Sequence, residues 1–156
     1  MKQVKLDSSV NLDCLKKSKF FQDINSVYLE SIASSCINIS TEKGEVLFIA
    51  GENNLAGIFY LISGKVILSS TEDDTDVERT NEVFKDETFN SLSIFYEMTR
   101  TETASALEAS NLLFVPKQAL IDSCEKNSAF NTILHEKIAI EFNREKLLRI
   151  LSKVYS

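Results

Sequence analysis

The chain has 156 residues, 44% of them apolar and 26% charged, and a formal net charge of −6. That length suits one domain with a real core. The acidic balance argues against a nucleic-acid partner held through phosphates and against docking on anionic lipid. No apolar run approaches the roughly 20 residues that span a bilayer, and polar residues follow Lys2 and Lys5 where a signal peptide would turn apolar. The expectation is a cytoplasmic protein with one domain over 1–156 and no output domain after it. Cys14, Cys36 and Cys124 are odd in number and far apart, which reads as reduced, mostly buried thiols. His135 is the sole histidine and sits in no catalytic or zinc motif, so a solvated helix residue is expected.

In chain order, 9–17 and 26–36 read as helices. Asn25 or Ser26 caps the second, and Val27, Leu29, Ile32 and Ala33 form its apolar stripe. Phe20 and Phe21, between the helices, are expected to plug the core. From about residue 37 the period changes: Ile37 and Ile39 alternate with polar residues, and short apolar runs at 46–50 and 58–62 are separated by turns. The four glycines, Gly44, Gly51, Gly57 and Gly64, all lie here, where tight turns need positive φ. Residues 71–81 are polar and acid-rich and read as the exposed tip of a long hairpin. Clustered carboxylates can also attract a hard cation, but the turn glycine of a calcium loop is missing. Residues 103–108 and 112–115 read as the last strands. Pro116 opens a helix to about Glu125, Asn127 and Ser128 cap the next, and 129–155 reads as one helix of roughly 40 Å.

The fold class is therefore α+β: an antiparallel β-barrel or jelly roll of about eight strands over 37–115, with N-terminal helices and a C-terminal helix pair over 117–155. No catalytic constellation is visible, so no enzyme activity is expected.

Two segments carry a resemblance: 43–51 (KGEVLFIAG) and 59–66 (FYLISGKV). Gly51 with Glu52, and Ser63, Gly64, Lys65 and Val66, are similar to the pattern of the cyclic nucleotide-binding domain family over roughly residues 14–142. The resemblance implies a regulatory domain with cAMP or cGMP as ligand and no other cofactor. It also implies a phosphate cassette at 86–101. In the family pattern a glycine lets the backbone approach the phosphate, a glutamate takes the ribose hydroxyl, a short helix offers amides, and an arginine pairs with the phosphate. Here Asp86 falls at the first glycine position, Asn90 at the second and Ser91 at the glutamate. Leu92, Ser93 and Ile94 fit the helix, Thr99 replaces a proline, Arg100 matches the arginine, Thr101 the small residue after it, and Glu102 an alanine. The implied ligand-binding set is Asn90, Ser91, Leu92, Ser93, Arg100 and Thr101, with Thr103 and Ser105 facing the base or sugar.

Physical chemistry gives reasons on both sides. A helix N-terminus opposite a guanidinium is a sound anion site. Asn tolerates the left-handed backbone that glycine adopts, and Ser91 can bond a hydroxyl or cap the helix. Against this, Asp86, Glu97 and Glu102 bring negative charge near an anion site, and Arg100 can instead pair with Glu97 or Glu102. On the last helix, Phe130, Leu134, Ile138 and Phe142 form a stripe suited to the barrel. Leu147, Leu148, Ile150, Leu151 and Val154 form a second cluster, flanked by charges, that suits a homodimer or a partner protein, or packing back on the domain. Two readings follow: a stand-alone sensor of a cyclic nucleotide, or a domain that has lost the nucleotide and serves as an interaction or dimerisation module.

Overall fold

The computed structural model describes residues 1–50, 56–72, 75–95 and 102–155. Within them are nine strands and four α-helices: β1 (Lys2–Val4), α1 (Ser8–Lys17), α2 (Ser26–Ala33), β2 (Ile37–Thr41), β3 (Val46–Phe48), β4 (Gly57–Ser63), β5 (Val66–Glu72), β6 (Thr75–Val83), β7 (Thr88–Phe89), β8 (Thr103–Ala106), β9 (Ser110–Pro116), α3 (Lys117–Lys126) and α4 (Ser128–Tyr155). A single 3-10 turn, Ser91–Ile94, follows β7. All strand pairs are antiparallel, in two sheets ordered β1-β2-β9-β4-β7 and β3-β8-β5-β6.

The first sheet is covered on both faces, which explains why β4 and β9 are nearly continuous apolar runs. Side chains alternate along each strand. Ile58 and Tyr60 of β4, with Leu113 and Val115 of β9, join the helices. Phe59, Leu61, Leu112 and Phe114 face the second sheet. Between the sheets Phe48, Phe59, Phe89 and Phe114 pack ring to ring. Phe59 and Phe89 stack at 5.0 Å, and Phe59 meets Phe114 at 4.8 Å and Phe48 at 5.6 Å. On the helical side Leu15, Phe21, Leu29, Ile32, Leu120, Phe130, Leu134 and Ile138 are all buried, so Phe21 plugs the core as expected, with Phe20 edge-on to it at 4.8 Å.

Local signals hold at most ends. Asn25 accepts the Val27 amide and caps α2, and Asn127 accepts the Ala129 amide and caps α4. At 28 residues, α4 is about 42 Å long. The stripe of Phe130, Leu134 and Ile138 faces the core, and Phe142 packs at its edge. Lys137 reaches the α1–α2 connection, where its ammonium lies 2.6 Å from Asp23 and 5.5 Å from the Phe20 ring centroid.

Four expectations need correction. β1 was not foreseen: its three residues form a strand only because β2 offers an edge to pair with. α2 ends at Ala33 rather than at 36, with Ser34 as its cap. The polar stretch does belong to a long hairpin, as expected, but most of it is paired strand and not tip, because β5 and β6 pair from Val66↔Val83 to Glu72↔Thr75. Polar alternation there suits an edge strand that must not recruit another chain. Gly44 and Gly64 have positive φ, but Gly57 lies in β4 and serves close packing. A Cβ there would come within 2.5 Å of the Phe114 ring and of the Val115 carbonyl. Gly51 lies outside the described residues.

Candidate functional site

The candidate site begins where the chain leaves β7 at the edge of the first sheet, and ends where it re-enters the second sheet at β8. Two residues bend the chain there. Asp86 and Asn90 both have φ of +71°, a conformation natural to glycine that Asp and Asn tolerate best among side-chain-bearing residues. Both are positions where the sequence pattern led to a glycine being expected, and both carry a glycine-like φ.

Asn90 does more than accept the conformation. Its side-chain amide donates to the Gly57 carbonyl at 2.9 Å and to the Ser93 hydroxyl at 3.1 Å. Ser93 Oγ in turn accepts the Gly57 amide at 3.1 Å, and its own hydrogen lies between the carbonyls of Asn90 at 2.8 Å and Gly57 at 3.2 Å. The turn is thus knotted to the first residue of β4. Ser91, in the glutamate position, is buried. Leu92 and Ile94 are buried in the same core as the α4 stripe. Phe95, the next residue, stacks on His135 of α4, with ring centroids 3.6 Å apart and planes 13° from parallel. His135 is exposed, as the sequence suggested, but it has an aromatic partner.

The structure brings together Asn90, Ser91, Leu92 and Ser93. Arg100, Thr101 and Glu97 lie outside the described residues, and so does the choice between Arg100 on a phosphate and Arg100 in an ion pair. The Asp86 carboxylate, counted from sequence as charge near the anion site, accepts the Tyr60 hydroxyl at 2.6 Å. Burial, reinforced by this acid, holds the Tyr60 phenol well above its ordinary range. Thr103 is also engaged, since its hydroxyl accepts the Ala50 amide at 3.0 Å.

Sequence reasoning missed Gly57 and the Phe95–His135 stack. The position of Gly57 held a signal, because it directly precedes an apolar run instead of separating two. Burial pushes the Cys36 thiol up to about 12 and raises Cys14 and Cys124, so all three are poor nucleophiles. Among the described residues no helix is long and apolar enough to cross a membrane.

The architecture is a two-sheet antiparallel barrel flanked by helices, with a left-handed turn and a 3-10 turn between β7 and β8. The chain belongs to the cyclic nucleotide-binding domain family, whose model matches residues 38–127. The fold is similar to the sensor domain of the transcriptional regulator DNR from Pseudomonas aeruginosa: TM-score 0.72 at 21% identity, covering 88% of this chain and 92% of that one. It is similar to the Thermus thermophilus catabolite activator protein, with TM-score 0.70 at 23% identity over 86% of this chain and 63% of that one. It is also similar to the regulatory domain of Toxoplasma gondii PKA, solved with cAMP, with TM-score 0.65 at 18% identity over 76% and 46%. No curated protein sequence matches the chain.

Proposed function

We propose that this chain is a non-catalytic regulatory domain of the cytoplasm that senses a cyclic nucleotide, cAMP or cGMP, at the turn from Asn90 to Ser93. Arg100 and Thr101 complete the phosphate contact. The observation that carries this reading is the left-handed Asn90, which keeps the turn in a member of this family although the glycine is gone. The nucleotide acts by binding one arrangement of the C-terminal helices better than another, since only differential affinity shifts a population. The second half of α4 is the output surface. Ile140, Leu147 and Leu151 are 65%, 56% and 41% exposed, and an exposed apolar line on a helix favours pairing with a second copy.

A second reading has its own support. The Asn90 and Ser93 side chains are already spent on Gly57, and Ser91 stands in place of the acid that takes the ribose. On that reading the domain has lost the nucleotide and acts through α4 alone.

Thermal melting with millimolar cAMP, cGMP and cyclic dinucleotides, beside Arg100→Ala, separates the two. Ligand at about a hundred times its dissociation constant adds roughly 2.7 kcal/mol, or several degrees in the midpoint. A rise that vanishes in Arg100→Ala supports the sensor. No rise with any nucleotide sinks it and leaves the module.

A further inference from the structure

The contacts of the 90–95 turn with α4 are of two kinds. Leu92 and Ile94 share the deep core with Phe130, Leu134 and Ile138. The Phe95–His135 stack lies at the edge of that core, with Phe95 half-buried and His135 exposed. A core contact of this sort cannot part without opening a cavity, but an edge stack can slide or open at small cost. Phe95 is also the residue where the turn ends, its amide donating to the Leu92 carbonyl, immediately before the segment that carries Arg100.

We infer that His135 is a positioning residue: its stack on Phe95 fixes the outer end of the 90–95 turn against α4, beyond the reach of the core contacts of Leu92 and Ile94. The signalling meaning of this link rests on the reading of the turn as the nucleotide site; the link itself does not. His135 touches no ligand in this scheme and acts through Phe95.

The test uses the whole chain and amide hydrogen exchange followed by NMR. His135→Ala is a surface change, so the variant folds. Without the stack, exchange at the Ser93 and Phe95 amides should quicken by about 2- to 10-fold, the range an aromatic pair supports. Exchange at Leu113 and Val115 of β9 should hold steady, and His135→Phe should restore the turn. Because His135 is the one histidine in the chain, its imidazole C–H signals are unambiguous. They should sit upfield in the ring current of Phe95 and return toward ordinary shifts in Phe95→Leu. Unchanged exchange in His135→Ala, equal quickening at β9, or imidazole signals indifferent to Phe95→Leu would each overturn the inference. If no nucleotide raises the melting midpoint, the sensor reading falls, while the exchange data still decide the stack.

Discussion

Ser93→Ala tests whether the knot at Gly57 sets the turn. The substitution keeps the 3-10 turn's backbone but removes the acceptor of the Gly57 amide and of one Asn90 amide hydrogen. Gly57 has little room to seek another partner, because even a Cβ there would meet the Phe114 ring and the Val115 carbonyl. A buried donor left without an acceptor costs about 1–3 kcal/mol. Ser93 is half-buried, and water entering beside the alanine recovers part of that, so the expected loss is about 1–2 kcal/mol. For a chain of this size each kcal/mol lowers the midpoint by about 2–4 °C, giving a drop of roughly 2–8 °C. Urea unfolding followed by circular dichroism, with m held equal between the two proteins, measures it directly. A difference below about 0.5 kcal/mol, the level of an ordinary surface substitution, would refute the claim that Ser93 holds the turn to β4.

The same turn predicts an order at Asn90: Asn90→Ala should be less stable than Asn90→Gly by about 1 kcal/mol, because both lose the amide bonds but alanine also bears the left-handed φ. Equal midpoints in urea would count against the strained backbone. Ile138→Ala, at a site 1% exposed, should cost about 2–5 kcal/mol. By contrast, Leu147→Asn should leave the melting of the domain nearly unchanged and abolish any dimer in sedimentation at micromolar concentration; a dimer that survives it places the contact elsewhere. The Lys137 ammonium, through its bond to Asp23, holds that carboxyl below its ordinary range. A lowered acid stabilises the fold above the unfolded value of about 3.9, and the gain is lost as pH falls through the folded value. Asp23 is 67% exposed, so screening keeps the effect under about 1 kcal/mol. Asp23→Asn should therefore be slightly less stable at pH 7, with the gap closing as pH falls from about 5 toward 2. A gap that widens on acidification would reverse the sign.

Much of the architecture is written in local pattern. The change from helical to alternating period near residue 37, the apolar run that became β4, the Asn25 and Asn127 caps and the stripe of α4 all act over a few residues. Backbone propensity and burial agree there, so the family resemblance and the fold could be read before any contact was known. The left-handed Asn90 was legible for the same reason, since the choice among side chains at positive φ is a local matter. What the chain left undecided depended on partners far away in sequence. β1 exists because β2 has an open edge. Gly57 is a packing glycine because β9 brings Phe114 and Val115 against it. The Asp86 carboxylate takes the Tyr60 hydroxyl, a partner 26 residues away. His135 meets Phe95 40 residues earlier because α4 folds back over the turn. Spacing along a chain cannot encode such meetings, because they arise only when two sheets and a helical layer close on one another. The sequence by itself determined the family, most of the elements and the bend at Asn90; tertiary structure decided β1 and which of the polar groups are already committed to the protein.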